Sequence, residues 1–150
     1  MQQPKNRVSS RNGASADNAV IKHVCENDHR REEDKKSEQF DEMLSAAIDK
    51  TLRYVLGDIN TDVVYNYMEK MGVSLKGIPA NPGEFSTELR KILGSGRGQI
   101  LGAASILEET VLEILCKEVE IDLDIPKPAQ FADTVKKLRN AYVEGKSNTQ

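Results

Sequence analysis

A chain of 150 residues has room for one domain and an extension, and 38% hydrophobic against 30% charged residues makes it polar for a globular protein. A net charge of −3 argues against a general nucleic-acid binder, because phosphate affinity comes from clustered Lys and Arg. Two cysteines, Cys25 and Cys116, make no disulfide framework, and no apolar run reaches the length of a membrane span.

Residues 1–36 hold few large apolar side chains and read as a disordered polar tail. The run from Asp28 to Lys36 mixes both charge signs and can extend the first helix as a solvated turn or two. The helical domain is expected over residues 37–145, with a second polar tail at 146–150. Its first helix covers Ser37 to Leu56, where Phe40, Leu44, Ile48, Leu52 and Val55 fall at steps of four or three and define one face. Gly57 ends it. A second helix is expected after Asn60 or Thr61, with a stripe of Val64, Tyr67, Met68 and Met71 and a stop at Gly72.

Val73 to Ala80 reads as a connector with apolar anchors. Asn81, Pro82 and Glu84 then form a helix start: a capping residue, a proline at the first helical position, and an acid three residues after the cap. The third helix runs from Pro82 to Leu93 with Phe85, Leu89, Ile92 and Leu93 inward. Gly94 ends it at a left-handed position. The fourth helix is expected from about Gly98 to Val119. Its apolar residues cover more than half the circumference, which predicts a central position. Glu109, Glu113 and Lys117 mark its wet face. After a proline-containing link, a fifth helix carries Phe131, Val135, Leu138 and Tyr142 and ends before Gly145. The expected fold is all-α, a compact bundle of about five helices.

Several motifs invite a chemical reading and fail it. Gly94-Ser-Gly-Arg-Gly98 precedes a helix, but a phosphate loop needs Lys and then Ser or Thr after its last glycine, and Gln99 and Ile100 follow here. A cap and a sharp turn explain the glycines. His23, Cys25, Asp28 and His29 lack the paired spacing of a zinc site. No nucleophile, base and orienting group converge, so no catalytic residue, metal ligand or cofactor site is assigned. The residues singled out for an interaction surface are Tyr65, Arg97, Phe131, Leu138 and Tyr142.

Residues from about Phe40 to Glu118 resemble the Nitrosopumilus-type output domain family of archaeal two-component signalling proteins. The landmarks are Ile48-Asp-Lys-Thr-Leu52, Leu56-Gly57, Val64-Tyr65-Asn-Tyr-Met68-Glu69, Gly72-Val73, Ile78-Pro79, Phe85, Leu89, Ile92-Leu93-Gly94 and the apolar fourth helix. The resemblance implies a small helical domain, fused to sensor or receiver modules or standing alone, and it carries over no catalytic residue.

The expected function is a non-enzymatic regulatory module in the cytoplasm that binds a protein partner or a second copy of itself, with no membrane or nucleic-acid role. The competing class is a sensor for an anionic metabolite, with a pocket between the second and fourth helices and Arg97 as the anchor. A third class is a transcription regulator. For self-association, the fifth helix is the expected contact: docked in cis it completes the core, and docked in trans it makes a dimer.

Overall fold

The computed structural model describes residues 6–94, 96–97, 100–127 and 129–145, with side chains described from residue 27 onward, 95–101 and 128 excepted. The helices are α1 (Asn6–Leu56), α2 (Asp58–Lys70), α3 (Pro82–Leu93), α4 (Ala103–Glu118) and α5 (Phe131–Val143). A 3-10 turn spans Leu75–Gly77, and two-residue strands β1 (Gly96–Arg97) and β2 (Ile100–Leu101) pair antiparallel between α3 and α4. The all-helical bundle expected from the apolar spacing is therefore the observed fold.

Contacts divide the chain into two units, Met1–Lys35 and Lys36–Gln150. In the first, α1 is helical from Asn6, and residues 27–35 are all exposed. The charged run from Asp28 to Lys36 thus extends the helix with both signs in water. The remainder of the expected tail lies outside the described side chains, as does the C-terminal tail at 146–150.

In the second unit the predicted stripes meet. Phe40, Leu44, Ile48 and Leu52 from α1, Val64 and Met68 from α2, Phe85 and Leu89 from α3, Leu107, Val111, Leu112 and Leu115 from α4, and Phe131, Val135 and Leu138 from α5 form one buried cluster. Helix α3 lies against α2, α4 and α5, and α4 lies against α5. The rings of Phe85 and Phe131 sit 5.7 Å apart at a tilt, and those of Phe40 and Tyr142 6.0 Å apart. Such pairs add to the area they bury, because ring edges meet ring faces. Three buried threonines cost little. Thr51, Thr61 and Thr134 each donate their hydroxyl to the carbonyl four residues back, at 2.7–2.8 Å.

Two boundaries differ from the sequence reading. Helix α2 starts at Asp58 rather than after Asn60, because Gly57 alone makes the corner. Its φ of 81° and ψ of 165° belong to a region open to glycine, and Thr61 N–H already bonds to its carbonyl at 3.0 Å. Helix α4 starts at Ala103 rather than Gly98, because Gly96 opposes Leu101 and Arg97 opposes Ile100 in a short ladder. Helical bonding begins only with Ile106 N–H to Gly102 O. At the start of α3, Asn81 holds the cap position and Pro82 the first helical one, as the sequence predicts, but the exposed Asn81 side chain makes no capping bond. Gly94 has the predicted positive φ, at 86°, with ψ at 145° rather than the left-handed helical value.

Candidate interaction surface

The last turn of α1 and the first two turns of α2 carry the least buried large apolar side chains described. Tyr54 is 90% exposed, Ile59 80%, Val63 60% and Val55 55%. Helix geometry explains the α2 pair. Thr61, Val64 and Met68 turn to the core, and Ile59 and Val63, one turn apart, fall on the opposite side. Val55 continues the buried stripe of α1, yet the helix ends one residue later at Leu56, and the residue stays half in water.

An acidic row runs beside that apolar row. Asp58 and Asp62 precede Ile59 and Val63, so they line up one helical step to the side. Both contact Arg53 at the end of α1: Nη1 to Asp58 at 3.2 Å and Nη2 to Asp62 at 3.2 Å. Nε of Arg53 donates to both oxygens of Asp49, at 3.0 and 3.1 Å. Three carboxylates therefore share one guanidinium, leaving the group two negative charges in excess. The Asp49 bond first, and then the Asp58 bond, raise the Arg53 pKa, so this cation stays charged. Exposed ion pairs of this kind add little to stability, because water and salt screen them.

Tyr65 is half-buried and donates its hydroxyl to Asp49 at 3.0 Å. Burial, and after it the Asp49 bond, push its phenol well above the ordinary range. The bond ties Tyr65 to the Asp49–Arg53 cluster at this corner. The other expected residues lie elsewhere. Arg97 is in β1, with its side chain outside the described residues. Phe131 and Leu138 are 2% and 0% exposed in the core, which corrects their reading as an interaction surface. The reason is that α5 docks on its own chain. Tyr142 is half-buried, stacked near Phe40, and its hydroxyl donates to Gln39 at 3.2 Å. Arg139 reinforces that docking with an ion pair to Asp41, a 2.7 Å bond to the Pro79 carbonyl and a position 5.4 Å above the Phe40 ring.

A second polar feature joins α3 to α4. Glu108 is buried, accepts a short hydrogen bond from the Ser86 hydroxyl and pairs with Arg90 at 3.0 Å. Both partners come from the adjacent helix, so the carboxylate is a structural clasp.

Two of the cavities among the described residues have a defined lining. One, of about 410 Å³, lies at the C-terminal end of α4 among Glu113, Cys116, Lys117, Glu120, Ile121 and Leu123. Burial pushes the Cys116 thiol up, which keeps it protonated and a poor nucleophile. The other, of about 480 Å³, lies between the start of α3 and α5, with Glu84, Asp133, Lys136 and Arg139 in its wall. Neither is the pocket expected between the second and fourth helices. Among the described residues no three His, Cys, Asp or Glu side chains gather into a metal-sized cluster, and no helix is long and apolar enough to cross a membrane.

No family model matches this chain, and no curated protein or solved structure matches it either.

Sequence reasoning missed Ile59 and Val63. The signal was present: apolar residues at 59 and 63 fall opposite the Val64–Met68 stripe, which a helix packed on one side leaves in water.

Proposed function

We propose that this protein is a non-enzymatic interaction module whose docking surface is the α1–α2 corner. One observation carries the reading: Tyr54, Val55, Ile59 and Val63, the most exposed large apolar residues among those described, stand within ten residues of chain. Exposed apolar groups that cluster and carry a polar rim mark binding surfaces more often than isolated ones do. The resemblance of residues 40–118 to the archaeal output-domain family supports a regulatory role in signalling, in an archaeal cytoplasm. Capture from a native lysate, run side by side with the wild type and a Tyr54→Asp/Ile59→Asp variant, tests the reading. A captured protein lost with the variant supports it; capture indifferent to the variant overturns it.

The metabolite-sensor reading draws on the cavity beside α3, where Lys136 and Arg139 supply positive charge. It is the weaker reading. Arg139 is already engaged by Asp41 and the Pro79 carbonyl, and Glu84 and Asp133 oppose an anion from the same wall.

A further inference from the structure

The occupant of the α1–α2 corner can be narrowed by charge and by helical spacing, an inference that rests on the docking reading above. We infer that the corner receives a cationic amphipathic helix from another protein, laid along α2 with its apolar residues on Ile59 and Val63 and its Lys or Arg residues over Asp58 and Asp62.

Charge comes first. Asp58 and Asp62 are each bound to Arg53 through one oxygen, Oδ1. Their second oxygens remain available to accept from a donor, and both residues are exposed. Arg53 cancels only one of the three charges gathered with Asp49. The rim of the apolar row is therefore an acceptor row with net negative charge. A partner that places ammonium or guanidinium groups along it gains attraction and register, whereas an acidic partner meets repulsion. On the far side of the row, Asn60 is neutral and exposed, so the charge selection acts from the acidic edge.

The same pattern disfavours a second copy of this corner. An antiparallel two-fold contact on Ile59 and Val63 would bring the acidic rows of both copies together. A single helix fits the row, because its anchors at i and i+4 match the spacing of Ile59 and Val63.

Selection from a phage-displayed library of helical peptides tests this, with a fixed leucine row and flanking positions randomised among Lys, Glu and Gln. Enriched peptides are expected to carry Lys on one flank and to bind the full chain with an affinity that falls as salt rises. Asp58→Lys/Asp62→Lys is expected to weaken them about tenfold or more, and Ile59→Asp to abolish binding with the helical circular dichroism unchanged. Enriched peptides that need Ile59 but carry Gln or Glu overturn the cationic partner and leave the docking surface standing. Enriched peptides indifferent to Ile59→Asp, or none above background, overturn both. A concentration-dependent dimer in sedimentation that Ile59→Asp dissociates assigns the corner to a second copy and overturns the inference.

Discussion

Glu120 occupies at the end of α4 the backbone position that Gly72 occupies at the end of α2. Gly72 has φ 84° and Glu120 φ 56°. After α2, Val73 N–H bonds to Met68 O at 2.9 Å and Gly72 N–H to Glu69 O at 3.0 Å; after α4, Ile121 N–H bonds to Cys116 O at 3.1 Å and Glu120 N–H to Lys117 O at 3.3 Å. Both ends are Schellman caps, and in both an apolar residue, Val73 or Ile121, folds back into the core.

Glycine adopts this conformation freely, and a residue with a Cβ pays about 1–2 kcal/mol for it. Glu120→Gly is expected to stabilise the fold by about 0.5–1 kcal/mol, the remainder being lost to the added freedom of the unfolded chain. Gly72→Ala is expected to destabilise it by about 1 kcal/mol. Urea midpoints of the two variants against the wild type provide the measurement. Equal signs for the two changes contradict the matched caps.

Gly57 is the whole connection between α1 and α2. A Cβ there would meet nothing within 4 Å, so any cost of substitution is conformational. Its φ of 81° with ψ of 165° excludes L-alanine without strain. Gly57→Ala is expected to destabilise by about 1–3 kcal/mol. It should also loosen the Arg53–Asp58–Asp62 cluster, which hydrogen exchange at the start of α2 would register as faster opening. A variant as stable as the wild type, with unchanged exchange, refutes the hinge.

The clasp between α3 and α4 is unequal. Glu108 has a side chain 1% exposed, while that of Arg90 is 40% exposed. Removing Arg90 strands a buried carboxylate with Ser86 alone. Removing Glu108 leaves a cation that can turn to water. Arg90→Met is therefore expected to cost about 2–3 kcal/mol and Glu108→Met about 1 kcal/mol or less. Thermal unfolding of the two variants decides the order, and a larger cost for Glu108→Met reverses the argument.

Most of the fold was legible because the core stripes are regular. Phe40, Leu44, Ile48 and Leu52, or Phe131, Val135 and Leu138, can face inward only as helices. The start of α4 was not legible, because a two-residue ladder and a glycine-rich helix start read alike in one dimension. Val55 and Met71 continue inward stripes yet stay exposed. Periodicity gives a face but not the point where the neighbouring helices stop. Glu108 shows the converse. It reads as an interruption of an apolar run, and its burial depends on Ser86 and Arg90, more than fifteen residues away in sequence. Ile59 and Val63 emerge as exposed only once the core side of α2 is known.

Alkaline pH should loosen the fold in two steps. Burial raises the Cys116 thiol, and burial with the Asp49 bond raises the Tyr65 phenol, so the folded chain holds both protons longer than the unfolded chain does. The unfolded state then binds fewer protons, and stability falls as pH rises through the unfolded values. Melting temperature is expected to be unaffected by these groups below roughly pH 8 and to fall above it, first from the thiol near roughly 8.5 and then from the phenol near roughly 10. Cys116→Ala should remove the first part and Tyr65→Phe the second. A profile that both variants leave unchanged shows that neither group is responsible.

The contrast between Leu138 and Ile59 tests the assignment of α5 to the core and of the corner to the surface in one experiment. Leu138 is fully buried beside Phe131 and Val135 on the inward stripe of α5, whereas Ile59 is 80% exposed. An aspartate at 138 must either carry an unpaired charge into the cluster or force α5 off it. The first costs several kcal/mol. The second exposes Phe40, Phe85 and the inner row of α4. A domain of this size holds only about 5–15 kcal/mol in total. Leu138→Asp is therefore expected to lose cooperative melting and much of its helical signal as a monomer. Ile59→Asp is expected to stay within about 0.5 kcal/mol of the wild type. Circular dichroism with sedimentation of both variants reads the outcome. A Leu138→Asp chain that stays folded while a wild-type dimer dissociates would mean that α5 docks on a second copy in solution, and the buried state of Phe131 and Leu138 would then belong to an assembly.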